Sequence, residues 1–206
     1  MLSLGDVPVR AQSPPDVEAA EALLQRVRQN YEAADGLRAA FTQQTRSPFT
    51  EDTITFRGTL LLQGSKYRIE TPQQTLVTDG TTTWIYDPAA NQVIINQYVN
   101  DETIITPDEI FRDYLEQYNI AAMRASNRAP SVAAIDLTAA DTSAYYTDAT
   151  VHVRRPEAML TRVQLEDQNG STVIFRLDDV QLNPALAADA FTFTPPPEAE
   201  VVDLRS

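Results

Sequence analysis

His152 is the only histidine in this 206-residue chain. With the adjacent acidic pairs Asp101-Glu102, Glu166-Asp167 and Asp178-Asp179, it makes up the side chains best suited to moving protons or holding a metal. A Ser-His-Asp relay or a zinc site needs an imidazole with convergent partners. His152 instead stands in "TVHVRR", on the polar parity of a strand between Val151 and Val153, a pattern that predicts solvent contact. Two carboxylates could act as the acid and base of a glycosidase, but all three pairs fall near predicted turns or strand ends. The chain has no cysteine, which excludes thiolate nucleophiles, Cys-ligated metals and a lipid carried on an N-terminal Cys. No Gly-rich phosphate loop and no Ser elbow occurs. Asn169-Gly170-Ser171 fits a glycosylation sequon, but its stronger reading is a hairpin turn. The residues predict no catalytic site, no metal site, no cofactor and no enzyme.

The composition is that of an ordinary globular protein, with 43% hydrophobic and 22% charged residues. A net charge of −13 opposes binding to nucleic acid or to anionic lipid headgroups, so contact with lipid would have to be apolar. No apolar run approaches the ~20 residues that span a bilayer, and stable membrane insertion is not expected. The opening "MLSLGDVPVRAQSPPD" reads as a disordered lead or leader remnant over residues 1–15. Residues 16–206 follow as a single domain, since no linker divides them and no repeat recurs.

The periodicity is mostly that of strands. Asp16 is placed to cap a helix reaching about Ala34, with Val17, Ala20, Leu23, Leu24, Val27 and Tyr31 as its apolar stripe and Gly36 ending it. "LRAAFTQQTR", "TITFRGTLLLQ", "KYRIE", "TLVTDGTTTWIYDP" and "QVIINQYV" then alternate as successive antiparallel strands. The Asp79-Gly80 pair marks a hairpin inside the fourth of these stretches. "ITPDEIFRDYLEQY" predicts a second helix: Thr106 as N-cap, Pro107 at the first position, Glu109 closing a capping box and Ile105 stapled to Ile110. Strands resume in "NIAAM", "VAAIDLTA", "ATVHVRR" and "LTRVQLED". A type I′ turn is expected at Asn169-Gly170, before "STVIFRLDDV". "NPALAADAFTFTPPP" reads as a helical turn and a last short strand, followed by an acidic tail. The fold class is therefore mainly β (α+β): a partly open antiparallel half-barrel under a helical lid.

Several stretches together resemble the periplasmic outer-membrane lipoprotein carrier family, LolA. They are "LRAAFTQQT" after a helix, "FRGTLLLQGSKYRIETP", "LVTDGTTTWIYDP", "ITPDEIF", "YNI" and "FTFTPP", in that order from about residue 17 to 203. The resemblance implies a periplasmic, monomeric carrier whose apolar cavity shelters the acyl chains of lipoproteins. Such a carrier receives its cargo from an inner-membrane exporter and delivers it to an outer-membrane acceptor. The cavity candidates are Phe41, Phe56, Leu60, Leu62, Tyr67, Ile69, Trp84 and Tyr86 on the sheet, with Ile110, Phe111, Tyr114 and Leu115 on the lid. The family's Lys-Arg-Pro turn, whose Arg latches the lid, is replaced here by Gln63-Gly64-Ser65. The alternative is a carrier-like lipid-binding or sensing module that works with an envelope regulatory partner.

Overall fold

The computed structural model describes residues 15–50, 52–98, 117–126 and 129–205. Helix α1 (Pro15–Glu32) precedes strands β1 (Leu37–Arg46), β2 (Thr53–Gln63), β3 (Lys66–Glu70), β4 (Thr75–Thr78), β5 (Thr82–Asp87) and β6 (Gln92–Gln97). After the second gap come β7 (Tyr118–Ser126), β8 (Ala129–Ala139), β9 (Tyr146–Arg154), β10 (Met159–Asp167), β11 (Thr172–Leu182) and β12 (Glu200–Asp203). All twelve strands form one open sheet, in the order β12-β6-β5-β4-β3-β2-β1-β11-β10-β9-β8-β7. Every pairing is antiparallel except that of β12 with β6. The helix expected from Thr106 lies outside the described residues.

The α1 stripe is buried as its spacing predicts: Ala20, Leu23, Val27 and Tyr31 sit in one cluster with Ile135, Leu137, Val151, Val153, Leu160 and Val163. That cluster continues through Leu177, Leu37 and Ala39 to Leu60, so the sheet curls round the helix and the helix side is concave. The C-terminal half of α1 closes one end of this trough. Asn30 Nδ2 donates to the carbonyls of Glu157 and Ala158 at 2.8 and 3.2 Å, and an Arg26 guanidinium nitrogen donates to Pro156 O at 3.1 Å. Gly36 does not end the helix in a left-handed conformation. It is glycine because a Cβ there would stand 2.8 Å from the carbonyl oxygen of Leu62, which lets the chain pass close to β2.

Aspartates organise the turns. The Asp79 carboxylate accepts from Thr81 and Thr82 N–H, both at 2.8 Å, and Asp87 accepts from Ala89 and Ala90 at 2.8 and 3.1 Å. The turn at Asn169-Gly170 is not type I′, which needs positive φ at both residues; only Gly170 has it (φ 80°). Asp167 holds the loop instead. Its buried carboxylate accepts from Asn169 and Ser171 N–H at 2.8 and 2.9 Å, and its own amide pairs with Ser171 O. That pattern is a type I turn closed by a left-handed glycine, one residue longer than the expected two-residue turn.

The last strand also lies elsewhere than the periodicity predicts. Residues 183–199 form turns without regular structure, and β12 begins only after Pro195, Pro196 and Pro197. Three prolines have no N–H to give a ladder, so pairing starts where donors return: Glu200 N–H to Asn91 O at 2.9 Å, and on to Leu204 N–H with Ile95 O at 2.8 Å.

Two stability measurements follow. Asp167→Ala leaves the part-buried Asn169 and Ser171 amides without their acceptor and should lower stability by about 1 kcal/mol in urea unfolding, with Asp167→Asn recovering part of it. Burial pushes the Tyr31 phenol up to about 12, opposed by a hydrogen bond with the Leu160 backbone. The unfolded phenol ionises near its ordinary value while the folded one resists, so this stability is complete below about pH 10 and drains away as pH rises toward 12. Tyr31→Phe should therefore flatten the alkaline limb of the stability–pH curve.

Candidate functional site

Directly paired residues share a face, so the ladder registers sort every side chain. One line runs Ala39, Leu60, Ile69, Leu76, Ile85, Ile94 from β1 to β6, and parallel to it run Leu37, Leu62, Tyr67, Thr78 and Thr83. This is the α1 side, since Leu37, Ala39 and Leu60 belong to the cluster beneath the helix. Phe41 joins it opposite Gly58, where a Cβ would come within 2.9 Å of the Phe41 ring; the glycine makes room for that ring. Phe56, opposite Gln43, completes the strand toward the hairpin tip.

Phe41, Phe56, Leu60, Leu62, Tyr67 and Ile69 are thus gathered on the concave face. They are not equally covered. Leu60 is core, Phe41, Leu62, Tyr67 and Ile69 are half-buried, and Phe56 is 39% exposed. Ile110, Phe111, Tyr114 and Leu115 lie outside the described residues.

Trp84 and Tyr86 are elsewhere. Trp84 pairs with Val77 and Ile95, Tyr86 with Thr75 and Val93, and all of these belong to the opposite, convex face. There the chain after β11 lies over them: the Tyr86 and Phe193 rings are 5.9 Å apart, and Arg68 Nη1 donates to the carbonyls of Ala190 and Thr192. Phe191 is buried in the same region. The expectation that Trp84 and Tyr86 share a wall with Leu60 is therefore corrected: Ile85 occupies that wall. Leu76, Ile94, Val173 and Phe175 are further concave-face residues not anticipated. The available signal was that "TWIYD" and "QVIINQ" are apolar on both parities, as strands covered on both sides must be.

Among the described residues the polar candidates form no reaction centre. His152 is half-buried on the convex face, where desolvation and the charges of Arg162 and Arg124 press its imidazole below the usual range and Asp136 opposes them. Asp136 holds Arg124 through two hydrogen bonds of 2.9 and 2.7 Å and accepts from Thr150 at 2.9 Å. Glu166 and Asp167 are adjacent in one strand, Asp178 is paired with Arg176 at 3.0 Å, and Asp179 sits at a bulge with φ 52°. Asp101 and Glu102 lie outside the described residues. No group of three His, Asp or Glu side chains among the described residues is placed to hold a metal.

What the geometry offers instead is apolar area. A cavity of about 310 Å³ opens beside the end of α1, where Tyr31, Leu37, Leu62 and Leu182 share the lining with the charged Arg28, Glu32 and Asp35. That is at the small end of ligand sites, which run ~300–1,000 Å³. Beyond it the half-exposed concave wall from Phe41 to Ile94 continues without α1 above it.

Among the described residues, an open sheet, antiparallel except at β12, packs on helix α1 and carries a half-buried apolar wall on the helix side, the architecture of a half-barrel. The model of the family "Outer membrane lipoprotein carrier protein LolA" matches residues 32–194, and the chain belongs to that family. An outer-membrane lipoprotein carrier protein of Neisseria meningitidis is 28% identical over 174 residues, covering 82% of this chain and 81% of that protein. The fold is also similar to that of an uncharacterised conserved protein from Thermus thermophilus (TM-score 0.57, 13% identity, 90% of this chain and 99% of that one). LprF from Mycobacterium bovis is similar at TM-score 0.50, 11% identity and 84% and 98% coverage.

The register makes a direct test possible. Trp84→Phe should leave binding of an acylated peptide unchanged, whereas Ile85→Glu should weaken it, as read by equilibrium titration. The reverse order would place the binding wall on the convex face.

Proposed function

We propose that this chain is a periplasmic, monomeric, non-enzymatic carrier that binds the acyl chains of lipoproteins against the concave wall. In this role it takes cargo from an inner-membrane exporter and passes it to an outer-membrane acceptor, with no cofactor and no bond made or broken. Family membership supports the class of cargo. The observation that carries the reading is the wall of Phe41, Leu62, Ile69, Leu76, Ile85 and Ile94, apolar yet only half-buried on the helix side of the sheet.

The physical demand on a shuttle is reversible burial. Each acyl CH₂ taken from a bilayer must be offset by about 0.8 kcal/mol of apolar contact, and that contact must be surrendered on delivery. A rigid ladder holds the wall. A cover that is not part of the ladder can give way to a chain and return. The turn Gln63-Gly64-Ser65 has no arginine where the family latches its lid.

Native mass spectrometry with a triacylated peptide and its unacylated twin tests the reading. The acylated form alone should bind one to one. Phe56→Glu, at a site exposed enough to leave folding intact, should weaken it about tenfold or more, since a charge would meet the chains. Equal binding of both peptides would overturn the carrier role.

A further inference from the structure

On the convex face, opposite the apolar wall, the ladder registers bring positive charge into line. Arg57, Thr42, Arg176, Arg162, His152, Ala134 and Arg124 follow one another as direct partners across the seven adjacent strands from β2 to β7. Six strand spacings of ~4.8 Å make this file about 29 Å long. Four of the sixteen Lys and Arg side chains of the chain stand in it, although the protein as a whole carries −13. Arg154 lies beside it on the same face, two residues beyond His152.

The carboxylates nearby neutralise only part of that charge. Asp178 pairs with Arg176 at 3.0 Å and Asp136 with Arg124 at 2.7 Å, so two ion-paired carboxylates meet four guanidiniums among the described residues. Arg162 donates to the neutral Gln164 side chain at 2.9 Å. Glu70, in the row beside the file, is engaged by Arg68, and Asp148 and Glu166 stand two rows away on the other side. Arg162 and Arg176 are direct cross-strand partners, and like charges so placed destabilise a sheet. The file therefore costs stability, yet it stays within reach of solvent. The Arg124 and Arg176 side chains are 58% and 59% exposed, and Arg57 is exposed as well.

We propose that this file is the docking surface for an acidic helical segment of a protein partner. A phosphate or a single lipid headgroup is held by donors that converge on one point, whereas these guanidiniums are strung out in line at multiples of the strand spacing. Carboxylates three and four residues apart on a helix recur every ~5–6 Å along one face, close to that spacing. A nucleic acid would extend past the file and meet the acidic remainder of the molecule, while a short segment meets the file alone. Because the wall lies on the other face of the sheet, partner and apolar ligand are held at the same time. The proposal goes beyond the carrier reading and stands independently of it.

The probe is a labelled helical peptide of about 20 residues, long enough to span the file at ~1.5 Å per residue, with Glu at every fourth position. Its twin carries Gln at those positions. Anisotropy titration of the full-length protein should show binding of the Glu peptide alone, weakening severalfold as ionic strength rises from about 0.05 to 0.3 M. Arg57→Gln, at an exposed site with no ion pair among the described residues, should weaken it about threefold, and Arg57→Glu with Arg176→Glu about tenfold or more. Arg57→Lys with Arg176→Lys should retain it, as should Lys66→Glu with Arg205→Glu, which reverses two charges away from the file. Affinity for the triacylated peptide should be the same in all these proteins. Equal binding of the Glu and Gln peptides overturns the docking surface, as does a Glu-peptide affinity indifferent to Arg57→Gln and to the double reversal. An equal loss in the Lys66 and Arg205 variant overturns it too, since net charge rather than the file would then govern binding. So does displacement of the peptide by inorganic phosphate or a single-stranded oligonucleotide at lower concentration than by unlabelled peptide, which would make the file a general anion patch.

Discussion

Helix α1 by itself cannot cover the inside of a twelve-stranded sheet. With side chains a helix is about 10–12 Å across, and strands repeat every ~4.8 Å, so one helix shields only two or three strands. α1 packs on the β7 to β10 side, and the apolar pattern nevertheless continues across β1 to β6. Among the described residues, Phe41, Ile69, Leu76, Ile85 and Ile94 on that face are half-buried, while the strands that carry them are paired in one ladder.

The convex side shows the opposite solution to the same problem. β4 to β6 carry large apolar side chains outward, and the segment after β11 returns to cover them with Phe191 and Phe193 before β12 pairs in parallel with β6. Arg68 fastens that strap by donating to two of its carbonyls while its own charge is met by Glu70 at 2.7 Å. The sheet is thus braced on its convex side at β3 to β6, away from α1.

Carboxylates position the turns among the described residues. Asp79, Asp87, Asp141 and Asp167 each accept backbone N–H groups of the turn that follows them, and a carboxylate in such a turn fixes loop length and hence register. Asp141, held by the Ser143 amide and hydroxyl, is shifted below the usual carboxylate range for that reason. The lone His152 and its arginine neighbours are cross-strand partners on the convex face.

The sequence by itself determined the elements and most of their sidedness. The α1 stripe, eleven of the strands and the concave placement of Phe56, Leu60, Leu62, Tyr67 and Ile69 are all legible in alternation and helical spacing, because those patterns record burial within one element. Tertiary structure decided how parities connect from strand to strand. Whether Trp84 or Ile85 faces the helix depends on the residues absorbed by the Asp79 turn, and a shift of one would exchange the faces. It also decided that the final strand lies beyond the prolines, where a free sheet edge offered β6 as a partner.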